Sequence, residues 1–115
     1  MKKVALFAFR GDTMCFAHVL LYALDLHARE TEVRIILEGE ATATAAKLAQ
    51  PGQPFANQYA NVRDAGLIEC ACKACSMKTG AADQLASQKI PLVDEMNGHP
   101  SLARYMEDDW QVLVF

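Results

Sequence analysis

Five short apolar runs punctuate this chain, and the stretches between them read as helices rather than strands. Lys3 to Phe9 is closed by Arg10-Gly11-Asp12, and Val33 to Leu37 by Glu38-Gly39-Glu40. Leu67 to about Ala71 leads into a group of cysteines, Ile90 to Val93 gives way to the polar turn Asp94 to His99, and Trp110 to Phe115 comes last. Apolar runs of this length without polar alternation fit strands buried on both faces. Between them, helices are predicted over Met14 to Arg29, with Asp12 or Thr13 as N-cap, over Ala41 to Ala49, and over Phe55 to Asp64. Two more are predicted over Ala74 to Ser87 and from Pro100 to about Glu107. Strands alternating with helices at this spacing predict an α/β domain with a mainly parallel sheet and helices on both faces. At 115 residues there is room for one core, so the whole of 1–115 is read as one domain.

Composition narrows the function. The chain is 52% hydrophobic and 22% charged, which is ordinary for a globular protein. Its 11 Lys and Arg face 14 Asp and Glu, a net charge of −3, so it lacks the basic surplus of a phosphate-neutralising protein and no nucleic-acid partner is expected. The run Val4 to Phe9 is too short to span a membrane, and no cleavage signal follows it, so a cytoplasmic protein without membrane association is expected. One glycine in the loop Arg10 to Met14, with neither G-x-G-x-x-G nor a Walker pattern, argues against a nucleotide cofactor.

In an open parallel sheet, ligands bind at the carboxyl ends of the strands. The loops there gather Asp12, Thr13, Cys15, Glu38, Cys72, Cys75, Asp94, Glu95 and His99 into one region. Three of the four cysteines, Cys70, Cys72 and Cys75, lie within six residues, too close to staple distant segments. A thiol at the start of a helix is favoured as thiolate, and Lys73 and Lys78 add positive charge nearby.

The cysteine segment admits three chemistries. Cys72-Lys73-Ala74-Cys75 has the C-x-x-C spacing of a redox dithiol. Cys70, Cys72 and Cys75, completed by Cys15 or His99, offer a metal or iron–sulfur site, although no second C-x-x-C or H-x-x-H pair is present for a closed zinc site. A thiolate that accepts and passes on sulfur is the third. Cys70, inside a strand, reads as a packing residue. His99 beside Gly98 is placed to move a proton. The helix from Met14 is apolar nearly all round, which points to an interface between copies, with His18 and His27 as packing or interface residues.

Several stretches in order along the chain resemble the DsrE/DsrF-like family of small cytoplasmic sulfur-relay proteins. They are Met14 to Leu21; Ile35 to Gly39; Cys72 to Cys75 followed by Lys78-Thr79-Gly80; Gly98 to Leu102; and Trp110 to Phe115. The resemblance implies a three-layer α/β/α sandwich with a mainly parallel five-stranded sheet, assembled into a homo-oligomer, a trimer or hexamer. It also implies a sulfurtransferase-like role as a persulfide carrier. Counting back from Gly80 puts the persulfide on Cys72, with Cys75, Lys73 and His99 as the other catalytic residues and Asp12, Cys15 and Glu38 as substrate-binding. The implied partners are sulfur donor and acceptor proteins, and no cofactor or resident metal is implied. The chain departs from the family pattern by carrying Cys15, Cys70 and Cys75 besides.

Overall fold

The computed structural model describes residues 2–115. Its elements alternate as expected: β1 (Lys3–Ala8), α1 (Thr13–Ala28), β2 (Glu32–Leu37), α2 (Ala41–Leu48), α3 (Ala56–Asp64), β3 (Ile68–Cys72), α4 (Lys73–Thr79), α5 (Ala82–Ser87), β4 (Leu92–Val93), α6 (Leu102–Glu107) and β5 (Gln111–Val114). The five strands form one sheet in the order β4-β3-β2-β1-β5, and every pair is parallel.

This order dictates where the helices go. From β1 to β4 the chain steps steadily toward one edge, so right-handed crossovers stack the intervening helices on one face. Val4, Leu6 and Ala8 of β1 and Val33, Ile35 and Leu37 of β2 pack there against Phe16, Val19 and Leu20 of α1, Leu48 of α2, Tyr59 of α3 and Leu85 of α5. The return from β4 to β5 crosses the whole sheet in the opposite direction and must use the other face. Among the described residues the six-residue α6 is the one helix on it, with Tyr105 against Ala5, Phe7, Ile36 and Cys70 and with Trp110 packed beside them. Phe7 and Tyr105 meet edge to face, ring centroids 5.4 Å apart. The sandwich therefore has three layers of unequal thickness.

Three local expectations are corrected. The helix predicted over Ala74 to Ser87 is two helices, because Gly80 closes α4 in the left-handed region. Pro100 lies outside α6; the hydroxyl of Ser101 caps that helix, accepting from Arg104 N at 3.3 Å. The fourth strand is only Leu92–Val93, since the preceding Pro91 has no N–H to give and contributes only its carbonyl, which accepts from Ala71 N.

Candidate functional site

The connections out of β3 and β4 diverge. The chain leaves β3 into α4, which packs beside α2 and α5 on the thick face, and leaves β4 toward α6 on the thin face. A crevice opens at the carboxyl ends of these two neighbouring strands, the position where open α/β sheets hold their ligands.

Cys72 ends β3 and is at once the N-cap of α4, its sulfur accepting a hydrogen bond from Cys75 N at 3.3 Å. The C-x-x-C spacing produces this turn and sets both thiols on the crevice. From across it comes the loop after β4. Gly98 has φ +94, and a Cβ there would stand 3.2 Å from the Cβ of Ala74. Its carbonyl accepts from Ala74 N at 2.9 Å, which docks the loop onto the first turn of α4. That contact delivers His99, whose Nδ1 lies 2.9 Å from Cys72 Sγ and 3.8 Å from Cys75 Sγ. Glu38, one residue beyond β2, completes the group. One ligand atom from each of Glu38, Cys72, Cys75 and His99 lies within 4.8 Å of all the others.

The four side chains are poorly reached by solvent. Cys72 is fully buried and Glu38 is 7% exposed, while Cys75 and His99 are half-buried. The Cys72 thiol is pushed up to about 12, chiefly by burial, with the Cys75 N–H pulling it down and the neighbouring Cys75 thiol and Glu38 carboxylate adding to the rise. Burial alone lifts Glu38 to about 7. Its carboxylate has no hydrogen-bond donor among the described residues to hold its charge. Two thiols, an imidazole and an acid thus share a low-dielectric spot, and among the described residues no Lys or Arg side chain pairs with any of them.

The other candidates fall elsewhere. Lys73 turns outward and pairs with Asp94, Nζ to carboxylate 3.7 Å, instead of holding the charge of Cys72. Glu95 is engaged by Arg104 at 2.6 Å. Asp12 caps α1, accepting from Cys15 N at 3.0 Å, which holds its carboxyl below the ordinary range. Cys15 lines a separate cavity between α1 and the end of β5, so of the two residues weighed to complete a metal site the fold brings in His99. Cys70 is buried against Tyr105, Sγ to Oη 3.8 Å, and is pushed up to about 11 by burial, as a packing residue is. Glu38 was placed at a strand end by its sequence, but nothing local marked it as a companion of the thiols. No helix among the described residues is long and apolar enough to cross a membrane.

No family model matches the chain. A conserved protein of unknown function from Bacteroides thetaiotaomicron, BT1422, has a similar fold, with a TM-score of 0.70 over 98% of this chain and 95% of that one at 19% identity. An uncharacterized protein of Archaeoglobus fulgidus is 43% identical over 49 residues, 43% of this chain and 80% of that protein. The uncharacterized protein MJ0733 of Methanocaldococcus jannaschii is 30% identical over 96 residues, 84% of this chain and 76% of that protein. The chain belongs to the family of MJ0733.

Proposed function

We propose that this protein binds a thiophilic divalent cation, zinc foremost, through Cys72, Cys75, His99 and Glu38. One observation carries the reading: four donors of the types zinc prefers, from three separate loops, converge within 4.8 Å. Tetrahedral zinc with two sulfurs, a nitrogen and an oxygen needs donor separations of roughly 3.3–3.8 Å. The two contacts of His99 Nδ1 bracket that range, so modest side-chain adjustment closes the shell. A dication also supplies the charge the site lacks. It replaces the protons that burial otherwise keeps on Cys72 and Glu38, so binding releases protons. The Cys75 N–H on Cys72 Sγ supports the thiolate ligand.

Cobalt(II) tests this directly. Chelator-treated protein titrated with cobalt is expected to give thiolate-to-metal charge transfer and tetrahedral d–d bands, which zinc then bleaches. His99→Ala and Cys75→Ser are expected to weaken cobalt at least tenfold, and Glu38→Gln to keep the charge transfer while altering the d–d bands. A six-coordinate cobalt spectrum without charge transfer removes the proposal.

The 2.9 Å approach of His99 to Cys72 favours a second reading, sulfur relay, in line with the resemblance to DsrE/DsrF-like proteins. His99 takes the Cys72 proton, the thiolate attacks the outer sulfur of a donor persulfide, and the donor leaves as a thiolate that takes a proton. Cys72 then carries the persulfide and Cys75 or an acceptor protein receives the sulfur. The complete burial of Cys72 suits a ligand better than a thiol that must meet a protein-borne donor. Intact mass after a persulfide donor separates the two: a reducible gain of whole sulfur atoms, absent in Cys72→Ser, favours relay.

A further inference from the structure

A second cavity lies away from the thiols, at the carboxyl ends of β1 and β5, on the other side of the sheet centre. It measures about 300 Å³ and opens between α1 and Phe115. Phe16 and Val19, each 1% exposed, form its apolar floor. The rings of Tyr22 and Phe115, 5.8 Å apart, form one wall. Two basic side chains, Arg10 and His18, stand among the lining residues, and both are exposed. Arg10 makes no ion pair among the described residues. The Nδ1–H of His18 donates to the Met14 carbonyl at 2.8 Å, which fixes the ring at the cavity mouth. An apolar floor below basic groups is a built asymmetry: the body of a ligand goes in and an anionic head stays at the mouth.

We infer that this cavity binds a small amphiphilic organic anion, with a short aliphatic or aromatic body and one carboxylate. The inference stands apart from the metal reading and shares no residue with it. The volume holds about ten water-sized groups at their share of liquid volume, which suits a short body. Charge decides the head group. The Arg10 guanidinium favours an anion and opposes an amine. The carboxylate of Asp12 is close enough to feel Arg10 and is engaged at the α1 cap by Cys15 N, while the Glu40 carboxylate stands beside the adjacent Gly11. A bound carboxylate therefore competes with Asp12 for Arg10.

Half-buried Cys15 lines the cavity and reports its occupancy. Sodium octanoate is the probe, and the readout is the alkylation rate of Cys15 followed by peptide mass. Octanoate is expected to slow Cys15 alkylation saturably and to leave Cys75 unchanged. Arg10→Gln, an exposed change, is expected to raise the half-protecting concentration about tenfold, the size of one charge-assisted contact. Asp12→Asn keeps a good N-cap and is expected to lower it. Val19→Trp, which fills the floor, is expected to abolish protection if it folds. The inference is overturned if octanoate gives no protection at millimolar concentration, or if protection is the same in Arg10→Gln. Protection that follows protein concentration instead of octanoate also overturns it, because a second copy of the chain then covers the cavity.

Discussion

Cys72 Sγ and His99 Nδ1 stand 2.9 Å apart although 27 positions separate them in the chain. The contact exists because β3 and β4 are neighbours whose onward connections leave to opposite faces, so the two loops meet across the crevice. One backbone bond, Ala74 N to the Gly98 carbonyl, fixes their distance. The proposed metal binding would therefore depend on a loop as much as on the ligands.

Gly98→Ala tests that dependence. At φ +94 a side chain is strained, and its Cβ would press on Ala74 at 3.2 Å, so the docking of the loop on α4 is expected to loosen. A loss of about 1–3 kcal/mol of stability is expected. Cobalt affinity should fall with it although no ligand has changed. Cobalt affinity that stays at the wild-type value in a destabilised Gly98→Ala protein would show that His99 is positioned by something other than this docking.

Zinc should also stabilise the fold, since unfolding separates donors that come from three loops. At free zinc one hundredfold above its dissociation constant, linkage adds about 2.7 kcal/mol. For a domain of this size that raises the melting temperature by roughly ten degrees. Thermal unfolding with zinc and with chelator measures the difference, and at the same free zinc His99→Ala should cut it to about 1.4 kcal/mol or less.

The pH dependence of the chelated protein follows from Glu38. Its folded value is raised from 4.5 to about 7 by burial, so the unfolded chain ionises first. The contribution to stability is fully present below about 4.5 and is lost as pH rises through about 7. The slope in that window is at most about 1.4 kcal/mol per pH unit. Urea midpoints measured across it should decline in the wild type and flatten in Glu38→Gln. Bound zinc should reverse the decline, because its thiolate ligands have given up protons that the unfolded chain keeps across this window.

The strand ends were legible because each apolar run stops where polar residues begin, and this put Glu38, Cys72 and His99 at one edge of the sheet. Which loops touch was not legible, since that depends on strand order and on the return crossover through α6. Cys15 shows the gap. Its sequence position made it as good a partner for Cys72 and Cys75 as His99, and only the order β4-β3-β2-β1-β5 separates it from them. Lys73 shows another, because its pairing with Asp94 joins two loops that no local pattern connects. The family resemblance singled out Cys72 and set Glu38 among the substrate-binding residues with Asp12 and Cys15, and of these three the fold brings Glu38 to the thiols.

The unequal layers predict that core mutations on the two faces will differ in kind. Leu20 of α1 lies fully buried on the thick face, and Leu20→Ala should cost about 2–5 kcal/mol. Phe7→Ala on the thin face should cost about 3–5 kcal/mol. It also removes the ring against which Tyr105 holds α6 to the sheet. Because α6 follows the His99 loop directly, its detachment should loosen the site. Phe7→Ala is therefore expected to weaken cobalt binding and to shift the emission of Trp110, which packs against Tyr105. Leu20→Ala should leave both unchanged under conditions where it remains folded. Equal effects of the two variants on cobalt affinity would mean that the thin face does not position His99.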